Sequence, residues 1–309
     1  MKKIFRIFSV LVVLVAVMGL TSCLPGPETD QVVSIDSADS LATFLNSSAS
    51  SGKLTDSFNT SSTALITAGK KKTLDLNGYT ITRNSGDDAV LRVKAGGELT
   101  IKDSKDADEQ GSLINEGTGD DCYTLIVEAT GKLKITAGNY KAKRTAVCIA
   151  GTAEIVTTGE IWGDKDNNDN VKGDGIEIYS GGKITTLNCT VYGANSAVTN
   201  GGTIDNIAGG EYTADDNVDS SETQYCCVST IYNSGTITLI NGQVALTATN
   251  SGTGKAAGIY NYNGASCPTI SAATKAMWTI TAGTGGSYES ATASSPTKAF
   301  YIYPVPNQQ

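Results

Sequence analysis

The chain has 309 residues, with 31 Asp and Glu against 23 Lys and Arg, a formal net charge of −8, and no histidine. The acidic balance disfavours nucleic acid and anionic lipid as partners, because phosphates attract basic surfaces. The missing histidine excludes Ser-His and Cys-His nucleophiles and removes a principal zinc ligand.

At the N-terminus, Lys2, Lys3 and Arg6 precede an apolar run over residues 7–20 broken only by Ser9 and Gly19, followed by Thr21 and Ser22. Charged, apolar and small-residue zones in that order mark a secretory leader, and the run is shorter than the roughly 20 residues that span a bilayer as a helix. Leu20-Thr21-Ser22-Cys23 resembles the lipobox of bacterial lipoproteins. The resemblance implies cleavage before Cys23, acylation of its sulfur (a palmitate-type anchor) and a lipid-held N-terminus. Each buried CH₂ contributes about 0.8 kcal/mol, so two or more acyl chains hold a protein where one does not. Leu24, where inner-membrane lipoproteins carry aspartate, points to the outer membrane or cell surface of a two-membrane bacterium. The expected organisation is a signal peptide over 1–22, a polar tether over 23–31 and one extracytoplasmic domain over 32–309.

After the tether, Asp36 and Ser37 precede Leu41, Phe44 and Leu45, the stripe of a short helix with a side-chain cap. Thr73 to Ile81 alternates aliphatic and polar residues around Asn77-Gly78. Beyond it the chain repeats. Aligned on aliphatic residues, first strands start at Leu91, Leu125, Val147 and Ile176, and second strands at Leu99, Leu133, Ile155 and Ile184, with glycines in the turns between. Third strands follow at Tyr140, Ile161 and Val191. The unit recurs as Ala197, Ile204, Tyr212 and more loosely as Ile231, Ile237, Val244. Units this short cannot bury a face alone and must stack. Alternation turns Leu91, Val93, Leu125, Val127, Val147, Ile149, Ile176 and Ile178 inward, and Arg92, Lys94, Glu128 and Glu177 outward.

The helix, the Leu74-Asp75-Leu76-Asn77-Gly78-Tyr79-Thr80-Ile81 segment and the Gly96-Gly97-Glu98-Leu99-Thr100-Ile101 coil resemble the pectate-lyase-like fold of bacterial surface proteins. The expected fold is all-β: a single-stranded right-handed parallel β-helix, three short strands per coil, with an N-terminal capping helix. Tyr301, Tyr303 and Pro304 are expected to close the far end. That scaffold carries lyases, hydrolases, adhesins and passive surface proteins alike, so it decides no function. Insertions at 103–110, 163–172, 215–224, 249–255 and 283–298 interrupt the period. All but the first fall at the corner after a third strand, where solenoids keep binding loops.

Lyase chemistry needs a basic residue beside a uronate, and the candidates are Arg83, Arg92, Arg144, Lys94, Lys141 and Lys143. Arg92 and Lys94 lie near Glu128, which equally makes an outward ion pair. Gly86-Asp87-Asp88 and Gly119-Asp120-Asp121 are similar to the Gly-Asp-Asp element of β-helix hydrolases. Here they precede first strands without the family's histidine, and aspartate suits such turns. No catalytic residue is assigned. Asp164, Asp166, Asn168, Asp169 and Asp174 gather hard oxygen ligands for calcium in one segment, although the spacing is not that of an EF-hand; the competing reading is a solvated acidic loop and no cofactor. Trp162 and Tyr192 are expected outward on adjacent coils, with Lys141 beside them, as a platform for sugar rings. The alternative is that the loop over 163–172 covers both rings. Besides Cys23, the six cysteines Cys122, Cys148, Cys189, Cys226, Cys227 and Cys267 leave buried thiols and disulfides both open.

The sequence reading is therefore a lipid-anchored surface protein, a non-catalytic adhesin whose partners are the membrane, through its anchor, and glycans or host surface proteins. A polysaccharide-lyase-type enzyme and a structural envelope component are the alternatives.

Overall fold

The computed structural model describes residues 31–117, 119, 121–164, 173–216, 227–251, 255–262, 265, 269–270, 279–281 and 300–302. The leader and Cys23 lie outside the described residues. So do Asp166, Asn168, Asp169, Cys226, Cys267, Tyr303 and Pro304.

The domain is a parallel β-helix. Among the described residues, eight first strands stack in register: Ala64–Ile66, Leu91–Val93, Leu125–Val127, Val147–Ile149, Ile176–Ile178, Val198–Asn200, Cys227–Asn233 and Lys255–Asn261. Three of the sequence-derived starts, Leu125, Val147 and Ile176, pair residue for residue with one another, and Leu91 pairs with Leu125. Their inward residues are fully or almost fully buried in one continuous core. Second and third strands are separate in the early coils, as in Lys132–Ile135 and Asn139–Ala142. In the middle coils they join into long bent strands, Thr152–Gly163, Lys183–Gly193 and Thr203–Asp216. The bend falls at a register break between Val156 and Glu160, so three short strands per coil describes only part of the solenoid.

Aligning on aliphatic residues misplaced some pairings. Leu133 pairs with Ala153, and Ile155 pairs with Ile135. Alanine is too small to mark a core column by itself, yet Ala153 is buried in the same column. The slip is two residues, so Ile155 keeps its inward parity. Likewise Val198 pairs with Ile176 where Ala197 was expected, and Leu246 rather than Val244 pairs with Tyr212.

The helix runs Ala38–Asn46 with Ser37 as its N-cap, and Ser37 and Ser40 form a capping box. Leu41, Phe44 and Leu45 are buried against the first coils. Its C-terminal end is closed by Lys72, whose ammonium donates to the carbonyls of Phe44 (3.0 Å) and Ser47 (2.9 Å) and lies over the Phe44 ring. Burial, followed by the charge of Lys70, lowers the Lys72 pKa. At the far end, Phe300–Ile302 pairs antiparallel with Lys255–Asn261, against the parallel run of the coils.

The Asn77-Gly78 corner has the expected left-handed backbone, φ 50° and 79°. The insertion at 103–110 is tied at its neck by Asp103, whose carboxylate accepts from the amides of Gly78, Lys105 and Gly111.

Candidate functional site

On the third strands, Lys141, Trp162 and Tyr192 are consecutive members of one outward row. The register brings these three side chains side by side. The two rings are stacked, with centroids 3.9 Å apart and planes 19° apart, and the Lys141 ammonium lies 5.9 Å from the Trp162 centroid. Rings that lend their faces to each other present their edges to the outside. A sugar stacks on a ring face, so this geometry suits a coil-to-coil clamp better than a flat platform. The indole N–H is buried without an acceptor among the described residues. Burial raises the Tyr192 pKa, followed by the charges of Asp215, Asp164 and Asp216.

Of the calcium set, Asp164 and Asp174 are described. The Asp164 carbonyl accepts from the Gly173 amide at 2.9 Å and its own amide donates to Ala142, which ties the neck of the loop. Asp174 is buried and turned toward the next coil, where it accepts from the Asn195 side chain and the Ser196 amide at 3.2 Å each. Among the described residues no group of three or more acidic or cysteine side chains is placed to hold a metal. Cys122, Cys148 and Cys189 are free and buried, and burial pushes the Cys148 thiol up to about 12.

The basic residues weighed for lyase chemistry are largely engaged. Arg92 pairs with Asp88 and Glu128, Lys94 with Glu128, and Lys143 with Glu116. Arg83 points inward at a corner, donating to Thr63 Oγ1 and the Ala89 carbonyl. The two Gly-Asp-Asp turns also act structurally: Asp88 holds Arg92, and Asp87 accepts the Asp121 amide at 3.0 Å.

A second surface emerges on the outer face of the first strands, where register aligns Arg92, Ile126, Cys148, Glu177, Thr199, Tyr232 and Tyr260 in one row. Its early part is closed. Tyr123 folds over Ile126 and Cys148 in a small apolar cluster, and its hydroxyl meets that of Tyr179 at 3.2 Å. Tyr179 is itself exposed. The later part is aromatic and looser than the Trp162 and Tyr192 pair: Tyr232 and Tyr260 stack at 5.4 Å and 27°, which leaves their faces only partly shared, and Tyr262, 49% exposed, lies 6.1 Å from Tyr232.

Between these parts sit two carboxyls, Asp174 and Glu177. Burial pushes Asp174 up to about 6, against hydrogen bonds from its neighbours. Burial and then the Asp174 charge push Glu177 up to about 7, with the Tyr179 hydroxyl and the Arg144 charge pulling the other way. A carboxyl poised near neutrality can give or take a proton at physiological pH, and such groups concentrate at functional sites. Sequence reasoning placed Glu177 outward but missed this surface. The available signal was the repeated Ile-Tyr-Asn at 231–233 and 259–261, which sets a tyrosine outward and an asparagine inward on successive coils.

No family model, curated protein or solved structure matches the chain.

Proposed function

We propose that the protein is a lipid-anchored surface protein, held at Cys23, which binds glycans through the outer face of its first strands without turning them over. The observation that carries this reading is the tyrosine set on one rigid face, Tyr179, Tyr232, Tyr260 and Tyr262, beside the polar centre at Asp174 and Glu177. Amphipathic rings next to a few convergent polar groups are a common sugar-binding composition. The test is glycan-array retention of the wild type against a Tyr232→Ala/Tyr260→Ala double variant. Retention is expected to fall by about tenfold or more, as the loss of two aromatic contacts implies, and equal retention overturns the reading. For the anchor, Cys23→Ser is expected to move the chain from the detergent phase to the aqueous phase in detergent partitioning; a variant that stays with the detergent refutes lipidation at Cys23.

One observation favours a second reading, a carbohydrate-active enzyme. Glu177 near 7 has the proton affinity of a general acid, and Asp174 supplies a nearby second carboxyl. New reducing or unsaturated ends in a polysaccharide incubated with wild type, absent with Glu177→Gln, would establish turnover.

A further inference from the structure

We infer that the outer first-strand face from Asp174 to Tyr262 takes glycans that carry free amino groups, with Glu177 receiving the ammonium. The inference rests on the glycan-binding reading above and adds the chemical class.

Charge complementarity carries the argument, with the same row two to three coils earlier as an internal comparison. There the outward Arg92 is matched by Asp88 and Glu128, and Glu128 also takes Lys94, so charge is neutralised within the face. At Glu177 the corresponding outward position is acidic, and neither Glu177 nor Asp174 forms an ion pair among the described residues. The outward residues that follow in register, Thr199, Tyr232 and Tyr260, bring no basic side chain. The groups acting on Glu177 are Asp174 and, opposing it, the Tyr179 hydroxyl and Arg144; Tyr179 in turn faces Tyr123 and Cys148. Both carboxyls are held above their ordinary range, Asp174 by burial and Glu177 by burial and then by the Asp174 charge, so their charged forms are short of solvation. An ammonium supplied by a ligand answers that shortage, and tyrosine rings favour a cation close to them. Thr199 separates Glu177 from the rings by one small side chain, a step of two coil spacings, about 10 Å, which spans roughly two sugar units.

The test uses the whole mature chain and two probes, chitosan oligosaccharides with free amines and fully N-acetylated oligosaccharides of equal length, titrated calorimetrically near neutral pH. Wild type is expected to bind the free amines about tenfold or more tightly, as a charge-assisted contact with a desolvated carboxylate implies. Glu177→Gln, the same shape without the charge, is expected to bind both probes alike. Equal affinity of wild type for the two probes, or a preference that survives in Glu177→Gln, overturns the inference and leaves glycan binding standing. Failure of wild type to bind either probe, while it is retained on other glycans, also overturns it; no retention on any glycan brings down the underlying reading as well. The comparison of probes on wild type requires no variant to fold.

Discussion

The side-chain amide of Asn200 donates to the side-chain oxygen of Asn233, 2.8 Å away in the next coil. Asn233 in turn donates to Asn261 at 2.7 Å, and all three are fully buried. The oxygens also serve the backbone, Asn200 accepting from Gly202 and Asn233 from Gly235. The inward amides of Asn200 and Asn233 are tolerated because the coil that follows satisfies each of them. Asn233→Ala leaves a donor on Asn200 and an acceptor on Asn261 buried and unmet. We expect a loss of roughly 2 to 4 kcal/mol in urea denaturation. A loss below about 0.5 kcal/mol would mean that the column contributes little.

Thr130 occupies a turn position at φ 66°, where the equivalent turns of other coils place Gly96 at 74° and Gly181 at 87°. A β-branched residue is strained in that region by about 1 to 2 kcal/mol. Thr130→Gly relieves the strain at the expense of added freedom in the unfolded chain, roughly 0.5 to 1 kcal/mol. The net expectation is a gain of about 0.5 to 1 kcal/mol, read as a raised melting temperature. A lowered one would show that the threonine side chain makes compensating contacts.

The solenoid was legible because its core is written in local alternation: Leu91 and Val93, or Ile176 and Ile178, declare their faces within three residues. The outward Arg92, Lys94 and Glu128 group was legible for the same reason, once the coils were in register. What escaped depends on neighbours one or more coils away. Tyr123 meets Tyr179 across 56 residues of sequence, and Asp174, grouped by composition with a calcium loop, turns instead to Asn195 and Ser196. The upward shift of Glu177 comes from burial that no spacing rule reports. Trp162 and Tyr192 were placed side by side, but their ring planes follow from side-chain packing, and those planes decide between a platform and a clamp.

The Trp162 and Tyr192 stack predicts a measurable coupling. In a double-mutant cycle with Trp162→Ala and Tyr192→Ala, the two changes should fall short of additivity by about 0.5 to 1.5 kcal/mol, the usual value of an aromatic pair beyond its burial. Glycan retention should be unchanged in Trp162→Ala, since its faces are occupied by Tyr192 and Lys141. Additive losses, or lost retention, would return this pair to the role of a sugar platform.

Glu177 and Asp174 make stability depend on pH in a definite direction. Both folded-state pKa values, about 7 and about 6, lie above those of the unfolded chain. The folded protein therefore holds more protons than the unfolded one between about pH 4 and 7, and these groups make stability fall as pH rises through that window. Glu177→Gln removes one of the two contributions. At about pH 8, where the native carboxyl is charged and poorly solvated, the variant should be more stable than wild type by about 1 to 2 kcal/mol, after allowance for partial solvation. At about pH 5, where the native carboxyl is already protonated, the gain should vanish. Thermal melts at the two pH values decide it: a variant no more stable than wild type at pH 8 contradicts the burial of charge at this position. A carboxylate held at a cost to stability is what a group kept for binding looks like.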